Sequence, residues 1–397
     1  MLHLNASAHG GAALACERIH AAVSEVGVSS ALLTPASSGD RLLGRLRRAA
    51  GRQLTRLLRT ENEIRHTPAF FSGPWGRNVQ SAAGGLLHLH WMGNEALSVK
   101  QIGALRGPVI WTLHDMWAFC GAEHVAYDQR WREGYRRDNR PEQERGFDLN
   151  RWVWARKLEH WKRPVQIVAP SRWMAQCVRD SALMKDWPVR HIPNPIDTDL
   201  WCPMPQQEAR QRLGLPLNKP FVLFGTYGET FARHKGFDLL RQALEVLRGT
   251  GKDVSLLVLG QEAPSGTHEW PFETHFCGKV SQQEALRCYY CAADLLVIPS
   301  RIDNLPNTGV EALACGTPVV AFDTCGLPDI VTHGKTGYLA RAFDTDDLAR
   351  GLHTVLGLDD NAGWGEAARQ KALDQFSMQK VGARYQAVYN ELLREKE

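Results

Sequence analysis

The sequence predicts an α/β protein built from two doubly wound parallel-sheet domains. Three observations carry this expectation. Short apolar runs alternate with longer amphipathic segments along the whole chain. Most of those runs are continuously apolar, as strands buried on both faces of a parallel sheet must be. The chain has 397 residues, enough for two such sheets and the helices that cover them.

Taken in order, a first strand ends within "NASAHGG", and a helix follows Gly10 and Gly11. Along that helix Ala12, Cys16, Ile19, Val23 and Val26 recur at steps of four and three. The runs "LLHLHW", "PVIWTLHD", "VQIVAPS" and "VRHIPN" complete the strands of the first half. In the second half "FVLFGTYG", "SLLVLG", "THFCGKV", "DLLVIPS" and "PVVAF" read as strands. Between the halves, "HIPNPIDTDLWCPMPQQ" gathers prolines and turn formers and places the boundary near residues 195–215. The expected division is a first domain at 1–200, a second at 201–375 and a closing helix at 376–397. That last helix carries Val381, Tyr385, Val388 and Leu392 on one face and is expected to pack back onto the first domain. Two such domains are expected to face a cleft, with ligands outside the carboxyl ends of the strands.

Composition narrows the function classes. A net charge of +4 is too small to mark a nucleic-acid binder by itself. Nine irregularly spaced cysteines favour reduced thiols and a cytoplasmic setting. Cys288 and Cys291 form a CxxC, but no second one follows, and core packing is the expectation for the pair. The start of the chain has no basic stretch, so no secretory signal is expected. No run is long and apolar enough to span a membrane. Residues 41–66 hold eight arginines against two glutamates, with Leu43, Leu46, Ala50, Leu54 and Leu57 able to share one helical face. Such a segment suits an anionic membrane surface, or is an ordinary solvated helix. Residues 127–163 interleave tryptophan, tyrosine and arginine, and an acceptor-site loop is favoured there over nucleic-acid stacking.

Four constellations carry chemistry. Gly10 and Gly11 open a helix whose N-terminal N–H groups suit a phosphate. His114 and Asp115 close the strand "PVIWTLHD" at the edge facing the cleft. His88 and His90 alternate onto one face of "LLHLHW", which suggests metal ligands, but no third ligand is evident. Arg233, His234 and Lys235 precede a helix, and two certain cations at a strand mouth suit a diphosphate. Finally "VIPSRIDNLPNTGVEALACGTPVVAF" sets Asp303 in a loop and Glu311 about one turn into a helix that Asn307 is placed to cap. Two carboxylates so placed can line one ligand and accept from sugar or ribose hydroxyls.

With these features in this order, the sequence resembles the retaining glycosyltransferases of family 4, the group 1 glycosyltransferases of GT-B fold. Asp303 and Glu311 have that family's spacing of two acids, followed by "EALACGTPVVAFDTCGLPDIVTHGKTGYL". "VAPSRWMAQCV", "IPNPIDTDLW", "HKGFDLL", "CGKVSQQEAL" and "FSMQKVGARYQAVY" extend the resemblance over essentially the whole chain. "DNLPNT" and "WTLHDMWAFCG" are similar to a bacterial branch that builds exopolysaccharides and O-antigens, including the colanic acid enzymes.

The resemblance implies two Rossmann-like domains and roles for matching positions. Glu311 would hold the nucleotide ribose. Asp303 and the backbone of Asn304, Leu305, Pro306 and Asn307 would bind the donor sugar. Thr308 and Gly309 would lend N–H groups to the diphosphate, and Lys235 would neutralise it as it leaves. His114 would sit beside the transferred sugar, Gly10 and Gly11 over the diphosphate, and Val280 near the base. Two departures stand out. The first acid is usually glutamate and here is Asp303. The usual arginine after "FVLFG" is Thr226, and Arg233 is the candidate to replace its charge. A cysteine cluster found after "WAFCG" in relatives is missing, so no metal is expected.

The implied reaction moves a hexosyl unit from a nucleotide-diphosphate sugar, UDP favoured over GDP, to a lipid-linked or oligosaccharide acceptor. No cofactor, metal or nucleic acid is expected, and the enzyme is placed in the cytoplasm or peripherally on the inner membrane face. The alternatives are a non-catalytic sugar-nucleotide-binding protein and a GT-B epimerase. An epimerase should lack this acid spacing, and a phosphorylase would need a pyridoxal lysine and a longer chain.

Overall fold

The structure is a computed structural model. It describes residues 1–7, 9–34, 41–73, 75, 79, 85–225, 233–263, 270–357 and 363–394, without the side chains of 41–43. The chain divides into two compact units, one of Met1–Pro193 with Gly382–Glu397, the other of Asn194–Val381.

In the first unit the strands are β1 (Leu2–Leu4), β2 (Ala31–Leu33), β3 (Leu58–Arg59), β4 (Leu87–Leu89), β5 (Val109–Thr112), β6 (Arg145–Gly146), β7 (Gln166–Ala169) and β8 (Val189–His191). Six of them form a parallel sheet in the order β2-β1-β4-β5-β7-β8. The other two, β3 and β6, pair antiparallel as a small ladder. β4, β5 and β7 are buried throughout, which explains their continuous apolar runs.

The register sets His3 of β1 beside His88 of β4. Histidines on a core face are stable only if their ring nitrogens find partners. His88 has Tyr389 Oη at 2.9 Å and Thr112 Oγ1 at 2.8 Å. Tyr389 comes from the C-terminal helix Met378–Arg394, whose part from Gly382 onward belongs to this unit. A Cβ at Gly382 would stand 2.3 Å from the Ala22 carbonyl oxygen, so the helix Gly11–Glu25 is approached as closely as only glycine allows.

In the second unit β9 (Phe221–Gly225), β10 (Ser255–Leu259), β11 (Glu273–Phe276), β12 (Leu295–Ile298), β13 (Val319–Phe322) and β14 (Gly337–Ala340) form a parallel sheet in the order β11-β10-β9-β12-β13-β14. This is the doubly wound order in which the chain reverses direction across the sheet between β9 and β12. Two apolar cores cover its faces. One contains Leu223, Leu296, Val310 and Ile330, the other Val222, Leu240, Val297 and Leu352.

The two doubly wound parallel sheets are those expected from the sequence. β2 and β14 were not singled out there, because their apolar runs, ALL and GYLA, are only three and four residues long and are bounded by polar residues. The basic segment is helical over Arg41–Thr55. Leu57 lies beyond that helix and so does not extend its apolar face, and Leu46 and Leu57 are 59% and 52% exposed. Cys288 and Cys291 are buried free thiols on the helix Gln283–Ala292.

Candidate active site

In the second unit the candidate residues cluster where the strand order reverses. The turn Arg233–Lys235 and the loop after β12 are hydrogen-bonded to each other. The Arg301 N–H donates to the His234 carbonyl at 2.7 Å, and the Arg301 guanidinium to the Arg233 carbonyl at 2.9 Å. That guanidinium also makes two 2.6 Å bonds to Asp238, one to each carboxylate oxygen, and holds its carboxyl below the usual range. Gly236 makes the approach possible. It has φ +69°, and a Cβ there would lie 1.9 Å from the Pro299 carbonyl oxygen.

This joining of two turns sets Lys235 Nζ 2.8 Å from Asp303 Oδ2, and the Ser300 hydroxyl donates to the same oxygen at 3.3 Å. The backbone of Asp303 is fixed as well, since the Gly326 N–H donates to its carbonyl at 3.0 Å. The neighbouring His234 is buried. Desolvation, reinforced by Lys235, lowers its pKa to about 4.

The helix Asn307–Ala314 follows directly. Asn307 does not cap it. Pro306, with extended backbone, occupies the N-cap position without a side-chain cap, and Asn307 is the first helical residue. The Gly309 N–H donates to the Pro306 carbonyl at 3.1 Å. The N–H groups of Asn307 and Thr308 precede any acceptor the helix itself offers. Gly309 is required for closeness, since a Cβ would lie 2.8 Å from Ile330 Cδ1 and 3.0 Å from Ile298 Cδ1. Glu311, one turn further, is buried, and its Oε2 accepts from the Tyr290 hydroxyl at 2.8 Å. Leu305 is buried in the core, so only its backbone faces the loop. Val280 follows β11 and packs partly against the same core.

In the first unit Gly10 has φ +92° at the N-cap of the helix that Gly11 opens, and a Cβ on Gly10 would meet nothing within 4 Å. His114 and Asp115 lie just past β5. Asp115 Oδ2 accepts from Trp91 Nε1 and pairs with His124 Nδ1, each at 2.7 Å, and Oδ1 accepts from the Trp117 N–H at 2.9 Å. Burial pushes its pKa up, but the His124 charge and these bonds outweigh it and hold the carboxyl below its ordinary value. His114 Nε2 is 3.1 Å from His90 Nδ1, and His90 Nε2 is 3.0 Å from His3 Nδ1. The third metal-ligand candidate that the sequence did not reveal is here. His3, Cys16 and His90 place one ligand atom each within 4.8 Å of one another, and His88 is not among them.

The loop after β5 is pinned from beneath by Lys157. Its buried ammonium donates to the Trp117, Cys120 and Gly121 carbonyls and faces the Trp117 ring at 4.0 Å. Desolvation lowers the Lys157 pKa to about 7. In the segment 127–163, Arg130, Trp131 and Tyr135 are buried, with Arg130 bound to Asp148 at 2.7 Å. Outside the core, Trp152 lies 5.3 Å from Phe70 and 6.0 Å from Phe147, with Arg156 over the Phe70 ring at 4.8 Å.

Thus Lys235, Asp303 and the start of the Glu311 helix share one strand-end region of the second unit, and Gly10, Gly11 and His114 follow strands of the first. The Arg233 side chain is exposed. Thr226 lies outside the described residues. Arg301, Ser300 and Tyr290 support the site and were not foreseen. Arg301 was legible only as one more loop arginine, and Tyr290 sits 21 residues before its partner.

Residues 9–200 match the family model described as Glycosyltransferase Family 4, and residues 220–357 the one described as Glycosyl transferases group 1. A D-inositol 3-phosphate glycosyltransferase of Xylanimonas cellulosilytica is 31% identical over 214 residues, 50% of either chain. A GDP-mannose-dependent alpha-(1-6)-phosphatidylinositol monomannoside mannosyltransferase of Mycolicibacterium smegmatis is 30% identical over 216 residues, 49% of this chain and 54% of that one. The chain therefore spans about half the length of the curated relatives it matches. Among solved structures, Anabaena HepE in complex with UDP and glucose aligns over 98% of both chains with a TM-score of 0.60 at 18% identity, a likeness of fold.

Proposed function

Since the chain belongs to the family 4 glycosyltransferases and has their GT-B fold, we propose that it is a retaining hexosyltransferase. Its donor is a nucleotide-diphosphate sugar, with UDP favoured, and its acceptor a lipid-linked or oligosaccharide chain in cell-surface polysaccharide synthesis. The observation that carries this is the 2.8 Å pair of Lys235 and Asp303 at the switch point of the second sheet, in the loop before a helix whose first turn leads to the buried Glu311. The donor class is supported by HepE, whose structure holds UDP and glucose. A membrane-lipid acceptor is supported by the mannosyltransferase relative, whose name specifies a phosphatidylinositol mannoside.

The chemical demand is expulsion of a diphosphate. As the bond from the sugar C1 to the phosphate oxygen breaks, negative charge grows on that oxygen. Lys235, with Arg233 as second cation and the N–H groups of Asn307 and Thr308, would stabilise that charge without a metal ion. Asp303 would accept from donor-sugar hydroxyls, Glu311 from the ribose, and His114 would stand by the sugar. With no carboxylate assigned as nucleophile, the acceptor oxygen attacks C1 on the face the phosphate leaves. Its proton passes to the departing phosphate oxygen, and configuration is retained.

The basic segment 44–57, helical as far as Thr55, would attach the enzyme to an anionic inner membrane face. Its support is the exposure of Leu46 and Leu57 beside exposed Arg45, Arg52 and Arg56. No described helix is long and apolar enough to cross a membrane. The functional proposal is tested by melting the protein against nucleotides and nucleotide sugars. A true ligand at 100 times its Kd stabilises by about 2.7 kcal/mol. A shift with nucleotide sugars that Glu311→Ala abolishes supports the assignment, and no shift with any of them refutes it.

A further inference from the structure

In the first unit, the row of His3, His90 and His114 meets a buried cysteine at its inner end. His3 of β1, His90 just past β4 and Cys16 of the helix Gly11–Glu25 each bring one ligand atom within 4.8 Å of the other two. All three side chains are buried. They come from three separate elements, and the fold itself brings them together. β1 and β4 pair in register, and the His90 N–H donates to the Leu4 carbonyl at 2.9 Å. The helix is held at Ala22 by the close approach of Gly382.

The spacing suits one small ion. His3 Nδ1 and His90 Nε2 face each other at 3.0 Å. Two nitrogens bound to one ion at about 2.0–2.1 Å each stand roughly 3.3–3.6 Å apart, so this pair has to open by about half an ångström. The Cys16 sulfur adjusts by rotation about a single bond. His90 also has the outer support that a ligating histidine commonly has, since its Nδ1 lies 3.1 Å from His114 Nε2. His88 is not a ligand, because Tyr389 and Thr112 occupy its two nitrogens.

Hydrogen bonding alone does not account for the cluster. His3 Nε2 is buried with no hydrogen-bond partner among the described residues. An imidazole there costs desolvation and satisfies one of its two nitrogens, where an apolar side chain would cost nothing. Cys16 adds a free buried thiol at the same point. An ion held by both rings and the sulfur offsets that cost through its bonds to them.

We propose that His3, Cys16 and His90 bind one thiophilic d10 metal ion, Cu+ or Zn2+, which ties the helix Gly11–Glu25 to β1 and β4. On binding, the Cys16 thiol gives its proton to water, and the His3–His90 hydrogen bond is replaced by two metal–nitrogen bonds. One thiolate and two neutral imidazoles carry a single negative charge. Cu+ cancels it, whereas Zn2+ leaves one positive charge in the core and keeps a fourth position for a water-derived ligand. The ion is structural. It takes no part in the transfer proposed above, and the site stands whether or not the chain transfers sugars.

The test uses the full chain, reduced, stripped with a chelator and reconstituted without oxygen. The probes are zinc chloride and the acetonitrile complex of Cu+. The proteins are wild type, Cys16→Ser, His3→Phe and Cys288→Ser, the last a control for binding at another buried thiol. Wild type should keep one equivalent of ion through desalting. Free ion at 1,000 times its Kd should raise the melting temperature by about 5–15 °C. Cys16→Ser and His3→Phe should each bind on the order of 100-fold more weakly, and Cys288→Ser should match wild type. Circular dichroism of the metal-free variants reports whether the fold is kept, and the near-isosteric Cys16→Ser decides the question if His3→Phe does not fold. Retention of either ion at this position supports the site and names its occupant. Loss of both ions from wild type on desalting, undiminished retention in Cys16→Ser, or equal loss in Cys288→Ser overturns the proposal.

Discussion

Lys235 Nζ lies 2.8 Å from Asp303 Oδ2, although the two residues belong to separate loops 68 positions apart. Both side chains are largely shielded, at 20% and 13% exposure, so the pair is screened less than a surface ion pair would be. The zipped backbone of His234 and Arg301 fixes the distance before any ligand arrives. A diphosphate that draws on Lys235 and a sugar that draws on Asp303 would thus be placed at two ends of one preorganised contact.

Asp303→Glu tests whether the shorter acid sets sugar choice. The added methylene displaces the carboxylate from both Lys235 and the Ser300 hydroxyl. Affinity for the preferred nucleotide sugar should fall by about 3–10-fold, while affinity for the free nucleoside diphosphate stays within about twofold. Calorimetry with both ligands checks this. Equal losses for the two would show that Asp303 acts on the loop as a whole.

Tyr290→Phe removes the donor to the buried Glu311 carboxylate. Losing a hydrogen bond to a buried charged group costs about 1.5–3 kcal/mol, which lowers the melting temperature of a domain of this size by roughly 3–12 °C. Nucleotide affinity should fall as well, because the hydroxyl orients the carboxylate. A melt paired with nucleotide titration separates the two effects. Lost affinity without lost stability would mean that the hydroxyl itself meets the ligand.

Much of this was legible in the sequence, and the limits have physical causes. Strands buried on both faces announce themselves as apolar runs, so β4, β5, β7, β9, β10, β12 and β13 were readable. β2 and β14 are apolar but too short, at three and four residues, to stand out. The spacing of Asp303 and Glu311 spoke for a ligand site because both fall within one loop–helix segment. The row His3–His90–His114 depends on the pairing of β1, β4 and β5, and no local pattern encodes that register. Asn307 was misjudged as a cap because asparagine favours that position, whereas Pro306 entered it first.

Part of the acid sensitivity should trace to the first unit. The folded pKa of His3 is depressed to about 3, below its unfolded value near 6.5. Its contribution is therefore complete above pH 6.5 and is lost as pH falls from there through the folded value. Glu123, raised to about 7 by burial, works in the opposite sense between pH 4.5 and 7. His3→Phe leaves Glu123 in place, so the difference from wild type isolates the histidine. The variant's stability should fall less steeply between pH 6 and 4, by about 1.4 kcal/mol per pH unit, the weight of one proton. Denaturant titrations at several pH values measure it. Parallel curves would rule out a neutral, buried His3.

The triple reversal Arg45→Glu, Arg52→Glu and Arg56→Glu tests membrane attachment. All three side chains are exposed, so folding should be unaffected. Each arginine near an anionic surface contributes about 1 kcal/mol, so partition onto phosphatidylserine-rich vesicles should fall on the order of 100-fold. Neutral phosphatidylcholine vesicles should show little binding of either protein. Equal sedimentation of both proteins with the anionic vesicles would exclude this basic segment as the anchor.

The most direct measurement compares wild type with Lys235→Ala for nucleoside-diphosphate release from a panel of UDP-, GDP- and ADP-hexoses, with and without a membrane-lipid extract as acceptor. Wild type should release the diphosphate from one donor class, faster with the extract, and Lys235→Ala should be slower by about 100–1,000-fold with near-wild-type melting. Equal rates in the two proteins, or no release from any donor by a wild type that binds nucleotide sugars, would contradict glycosyl transfer driven by charge stabilisation at Lys235.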